Sequence, residues 1–397
     1  MSLIFKIIPQ PTRHTEDGQL RSCLISYTGK GVGISEKDMW FLYPSEVTLP
    51  ADDDADAYAL AALLPAMMAR ADLIIQGSVS HELLANLTEL QLAWHKWCPS
   101  LYHLVNMQAH TVRETESRMS GAVVAFSGGV DAQFTAYRHA KERAGYVTQN
   151  LLAGVFVHGF DIPLSDTNGF IGAARMANEV LNDLGLRLFP VKTNLRGLWD
   201  INWEHYCGTA ISSVLCGLKK YAGTGLIGSG EPYDSLVFPW GSNPISDTLC
   251  SSGDFRILHD GAGFSRSEKI RDISKWSYGT ARLRVCWAGE LNDRNCGCCE
   301  KCVRTRLNFI IAGVNSPDCF SGELNRHYLS SIVLRSEAAK AEWRLIRDEM
   351  IKTQIGVEFL EQVQKVIDRK ASPRFGLLLP LGSNRRAWAK RAVHWWK

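Results

Sequence analysis

A chain of 397 residues, 46% hydrophobic and 21% charged, carries enough apolar side chain to fill two or three structural units and is not the composition of a disordered protein. A formal net charge of +3 excludes any argument for nucleic acid from charge alone. Eleven cysteines without a secretory leader argue against a disulfide framework and for reduced thiols in the cytoplasm.

In chain order, "MSLIFKII" is a short apolar run that stops at Pro9 and Pro11. Residues 22–27 and 71–77 read as strands. The longest apolar run, 57–69, is too short to span a bilayer and contains Pro65, so a buried helix is expected. Residues 81–97 place Leu83, Leu84, Leu87, Leu90, Leu92 and Trp94 near helical spacing. His95, His103 and His110 are scattered, the pattern of surface or satisfied core histidines. Residues 1–118 thus read as an extra N-terminal α/β domain without recognisable chemistry.

From residue 119 strands alternate with helices: "GAVVAF", a helix from Ala132, "LLAGVFVHGF", a helix from Thr167, "LRLFPVKT", a helix from Gly208 and "TGLIGSG". This alternation implies right-handed crossovers and a doubly wound parallel sheet covered on both faces, so the fold class is α/β. The expected borders are 1–118, 119–318 for this unit and 319–397 for a helical, charged C-terminal region. The last segment, 385–397, has Arg386, Lys390, Arg391, His394 and Lys397 on one side of a helical drawing and Trp388 and Trp395 on the other. That pattern suits an acidic surface, membrane or nucleic acid, and equally a tail docked on its own protein.

Two stretches carry chemistry. Ser127-Gly128-Gly129 follows the first strand of the α/β unit, where glycines let backbone N–H groups and a helix N-terminus approach an anion. A tight turn with no ligand explains the glycines alone. The second stretch holds Cys286, Cys296, Cys298, Cys299 and Cys302. Cys296-x-x-Cys299-x-x-Cys302 puts three thiolates on adjacent turns, and Cys286 lies at loop distance to complete a tetrahedron around Zn²⁺. Iron–sulfur ligation and a metal-free thiol cluster stay open, and Cys298 is expected to point elsewhere.

The whole string Ser127-Gly128-Gly129-Val130-Asp131 resembles the pyrophosphate loop of the N-type ATP pyrophosphatases, which usually ends in a hydroxyl residue where Ala132 stands here. The resemblance implies the adenine nucleotide alpha hydrolase-like (HUP-type) sheet and ATP cleaved between its α and β phosphates. It also implies pyrophosphate held by residues 127–130, Mg²⁺ positioned by Asp131, and Arg266 approaching the phosphates. Cys296-Gly297-x-Cys299-x-x-Cys302 resembles the zinc site of the 7-cyano-7-deazaguanine synthases, which turn a carboxylate into an amide and then a nitrile. Arg304 stands off that family's arginine position, and the spacing from Cys286 to Cys296 is longer than the family's. The likeness covers roughly 119–310; it implies a zinc-bound C-terminal lobe and, as partners, ATP, a small carboxylate and ammonia or an amine, while a second copy in a homodimer is an expectation apart from it. Between residues 263 and 306 ten Lys or Arg face five Asp or Glu, which suits an anionic ligand or a solvated basic face. A tRNA-modifying enzyme and a nucleotide-sensing scaffold of the same fold are the alternatives.

Overall fold

A computed structural model describes residues 3–29, 32–114, 117–286 and 293–369. The first strands, β1 (Leu3–Pro9), β2 (Arg13–Thr15), β3 (Gly18–Gly29) and β4 (Val32–Tyr43), pair antiparallel as a meander around β3. Then come α1 (Asp56–Ala69), β5 (Ala71–Ser80), α2 (His81–Trp97) and β6 (Met107–Arg113), with β5 parallel to β1 and β6 parallel to β5.

Helix α1 is apolar on every side, and each residue from Asp56 to Met67 is buried, as such a helix requires. Pro65 inside it has no N–H for the carbonyl of Ala61. That carbonyl instead accepts the Tyr206 hydroxyl at 2.7 Å, so the buried acceptor remains paired. In α2, Ser80 caps the N-terminus through the Leu83 N–H, and Leu83, Leu87, Leu90 and Trp94 are buried while Leu92 faces out.

The second part alternates strand and helix: β7 (Ala122–Ala125), α3 (Val130–Ala140), β8 (Leu151–His158), α4 (Thr167–Asp183) and β9 (Arg187–Thr193). It continues with α5 (Leu195–Leu198), α6 (Trp203–Cys216), β10 (Thr224–Gly228), α7 (Pro244–Thr248) and β11 (Arg256–Asp260). Three further helices, α8 (Arg266–Ile273), α9 (Ser277–Ala281) and α10 (Glu300–Ile311), complete it. Its five strands are all parallel, in the order β11-β10-β7-β8-β9, the arrangement of a doubly wound sheet.

The border expected at residue 118 is not a break in this sheet. β9 pairs antiparallel with β4 through Phe41↔Thr193 and Leu42↔Lys192, which joins both parts into one eleven-stranded, mostly parallel sheet. Residues Met1–Leu324 accordingly form one compact unit. An ion pair also links the two ends of the sheet: Arg113, at the end of edge strand β6, contacts Asp254, just before edge strand β11, at 3.4 Å. Around that junction Lys219, fully buried, contacts Asp54, Asp56 and Asp254 at 2.5, 2.8 and 3.2 Å, and Arg113 contacts the same three carboxylates.

The second compact unit begins at Asn325 and contains α11 (Arg326–Ser331), α12 (Glu337–Thr353) and α13 (Leu360–Asp368). Trp343, Ile346 and Met350 recur at helical spacing on α12 and are buried, as are Val363 and Val366 of α13. The basic segment 385–397 lies outside the described residues. Among the described residues, no helix is long and apolar enough to cross a membrane.

Candidate functional site

In the parallel part, chain order reverses between β7 and β10, and a doubly wound sheet binds ligands outside the strand ends at that switch point. The glycine turn leaves β7 there. Val123 and Val124 are anchored in the core, Phe126 is buried, and the chain must then turn sharply to start α3 at Val130. Gly128 makes the turn with φ +80°, the left-handed region that disfavours a side chain. Gly129 is different: its φ of −80° and ψ of 175° suit any residue, and it occupies the N-cap of α3. Its N–H donates to Ser127 Oγ at 3.3 Å. Opposite, a Cβ on Gly228 at the end of β10 would stand 2.7 Å from the Asp131 carbonyl, so glycine there lets α3 approach the sheet.

Asp131 sits in the first turn of α3, where the helix dipole favours a carboxylate. Its Oδ2 accepts from Arg266 Nη2 at 2.7 Å and its Oδ1 from Lys269 Nζ at 3.1 Å. Burial pushes the carboxyl pKa up, but Arg266 and Lys269 outweigh it and hold the group below its ordinary value. Both oxygens are therefore engaged by cations, which differs from a carboxylate open to Mg²⁺. Lys269 also donates to the Ser229 carbonyl, tying the loops after β7 and β10 together.

These groups face a cavity of about 90 Å³, lined among others by Ser127, Asp131, Asp161, Arg266, Arg284 and Lys301. Small-molecule sites usually reach roughly 300–1,000 Å³, so this space has the size for a phosphate-like group. Arg284 closes one wall. Its backbone N–H donates to the Gly128 carbonyl at 2.9 Å, and its guanidinium reaches the Ser127 and Cys286 carbonyls, each at 3.2 Å. Burial lowers the pKa of both Arg284 and Lys301, with Asp161 acting the other way. Val130 lines the cavity but its side chain belongs to the core, and Ala132 is buried with no hydroxyl to offer.

Next to this cavity the four expected cysteines meet. The sulfurs of Cys286, Cys296, Cys299 and Cys302 all lie within 4.8 Å of one another, with Cys286 to Cys299 at 3.7 Å and Cys296 to Cys302 at 3.8 Å. Zinc–thiolate bonds of about 2.3 Å in a tetrahedron give sulfur separations of roughly 3.8 Å, so the set fits such an ion. Four thiolates suit an iron–sulfur centre as well. Cys298 is exposed and lies outside the four, although its sulfur is 3.7 Å from that of Cys296. A hydrogen bond from Cys302 holds the Cys299 thiol down to about 7. Asn295 clamps the two cysteine segments: its Oδ1 accepts from the Val285 and Cys286 N–H groups, and its Nδ2 donates to the Leu283 and Cys319 carbonyls.

The fold thus brings Ser127, Gly128, Gly129, Val130, Asp131 and Arg266 to one place, with the four cysteines beside them. Lys269, Arg284, Lys301 and Asn295 are absent from the sequence reading. Lys269 was within reach of it, because Ser265 and Glu268 form a capping box that starts α8 and puts Arg266 and Lys269 three apart on one face. The other three have no such local signal. His95 bonds the Tyr102 carbonyl, and none of the three scattered histidines joins a metal-binding group among the described residues. No protein-family model, curated protein or solved structure matches the chain.

Proposed function

We propose that the chain is an ATP-dependent, AMP-forming ligase of the N-type ATP pyrophosphatase class, with the HUP-type form of its doubly wound sheet and a zinc ion in the four-cysteine set. A carboxylate oxygen attacks the α-phosphorus of ATP, the α–β bridging bond breaks, and pyrophosphate departs. Ammonia or an amine then attacks the acyl carbon, AMP leaves with the bonding pair, and the amine gives up a proton. The observation that carries this reading is the convergence of the 127–129 turn, the N-terminus of α3, Arg266, Arg284 and Lys301 on one phosphate-sized cavity at the switch point. Fixed dipoles and cations of this kind stabilise charge on a departing pyrophosphate without reorganising.

Asp131 orients Arg266 at the cavity and is itself held by Lys269, and Mg²⁺ arriving with the nucleotide would supply further charge neutralisation. Reduced thiols at the metal site accord with a cytoplasmic enzyme. The test is pyrophosphate release, or exchange of labelled pyrophosphate into ATP, across a panel of small acids with 7-carboxy-7-deazaguanine first. Asp131→Ala should abolish it, and activity persisting in that variant would refute the role assigned to Asp131. A second reading, nucleotide binding without turnover, is favoured by Ala132 and by the two cations on Asp131. ATP binding in calorimetry with no pyrophosphate released against any acid would select it.

A further inference from the structure

The cavity and the cysteine set share their walls. Cys286 is both a member of the four-sulfur group and a lining residue of the cavity. Arg284, two residues before it, is laced to the glycine turn by its backbone N–H on Gly128 and its guanidinium on Ser127, and to the cysteine segment through the Cys286 carbonyl. Lys301 and Thr305 line the same cavity from α10, and Lys301 stands between Cys299 and Cys302. Of the three cations that face the cavity among the described residues, two are thus carried on the segments that supply the thiolates. Arg266 alone comes from α8, separate from them.

We propose that the metal held by Cys286, Cys296, Cys299 and Cys302 is the positioning element of the anion site, so that metal loading and anion binding are positively coupled. The inference rests on the reading that this cavity takes a phosphate group. Bond lengths near 2.3 Å to four sulfurs fix the 284–286 segment against the start of α10, and that distance sets how far Arg284 and Lys301 stand apart. Without the ion, Asn295 still holds the Val285 and Cys286 amides, but between Cys286 and Cys299, the N-cap of α10, a thiol–thiol contact of 3.7 Å stands in place of two metal bonds. Lys301 then keeps its helix but loses its registration with Arg284. A divalent ion with four thiolates retains net negative charge, which opposes an anion nearby. The sign of the coupling therefore separates positioning, which strengthens anion binding, from the field of the centre, which weakens it.

Inorganic pyrophosphate titrated into the full chain by calorimetry, before and after stripping the metal with a chelator, reads the coupling. The metal-loaded protein should bind at least about tenfold more tightly, within the range usual for linked sites. Competition against a chromogenic chelator should then show pyrophosphate raising metal affinity by the same factor, because linkage is reciprocal. Equal affinity in the two forms, or tighter binding after stripping, overturns the coupling while leaving the anion site standing. No binding to the loaded protein overturns the anion site and the coupling with it. If circular dichroism shows that stripping unfolds the chain, Arg284→Gln and Lys301→Met in the loaded protein decide. Each should lose about tenfold or more in pyrophosphate affinity at unchanged metal content, and unchanged affinity in both overturns the proposal.

Discussion

The two glycines of the 127–129 turn look equivalent in sequence and are not equivalent in structure, which makes a pair of alanine substitutions informative. Gly128→Ala places a side chain at φ +80°, where a left-handed backbone costs an L-residue about 1–2 kcal/mol. The added Cβ meets nothing closer than the Arg284 Cβ at 3.7 Å, so the cost is conformational rather than steric. If the turn rotates to escape it, the 2.9 Å bond from the Arg284 N–H to the Gly128 carbonyl is lost, adding about 1 kcal/mol. Gly129→Ala meets an ordinary backbone, and only the contact with Ser127 Oγ at 3.3 Å is tight. Lower unfolded-state entropy offsets that contact, leaving stability within about 0.5 kcal/mol of wild type. Urea unfolding should therefore separate the two variants by about 1 kcal/mol or more, with Gly128→Ala the weaker. Pyrophosphate calorimetry should rank them differently, because Gly129 lines the cavity and its new methyl narrows the space above the amides. Gly129→Ala unfolding at lower urea than Gly128→Ala would refute this account of the turn.

Other substitutions probe the surrounding architecture. Lys219→Met leaves Asp54, Asp56 and Asp254 with Arg113 as their remaining cation; the expected loss is about 3–5 kcal/mol, and a urea midpoint unchanged from wild type would contradict it. Tyr206→Phe leaves the Ala61 carbonyl without its hydroxyl donor in a helix where Pro65 cannot serve, at a cost of about 1–3 kcal/mol, measurable by thermal or urea unfolding. Asp131, Asp254 and Asp260 are each pushed up by burial and pulled further down by adjoining cations and hydrogen bonds, so their native pKa values lie below the ordinary ones. The stability they contribute is complete above about pH 4, the unfolded carboxyl value, and is lost as pH falls through the lower native values. Unfolding midpoints that stay constant from pH 7 down to pH 2 would show that these pairs contribute nothing.

Much of the local structure was legible. The helix at 81–97 could be placed because leucines recur at its period, and burial of 57–69 because no polar face exists there for water. The glycine turn and the four-cysteine set were legible because their residues lie within a few positions of one another or at loop distance. Strand β4 was missed: its central Ser35-Glu36-Lys37-Asp38 interrupts the apolar alternation, and its pairing with β3 and β9 supplies the order that composition does not. Arg284 was missed because its partners, Ser127 and Gly128, lie more than 150 residues earlier in the chain.

Caps, periodicity and turn chemistry act within a few residues, and for that reason the order of amino acids dictates where helices begin, which faces are apolar and where an anion could meet bare backbone. Which strands become neighbours is decided by burial summed over the whole fold. The antiparallel β4–β9 join carries one sheet across residue 118, where the pattern changes to strand–helix alternation, and an ion pair links Arg113 of one edge strand to Asp254 beside the other. The same long-range packing sets Arg284 and Lys301 around one cavity, a placement that no local rule encodes, because it requires β7, β10 and the cysteine segments to lie together.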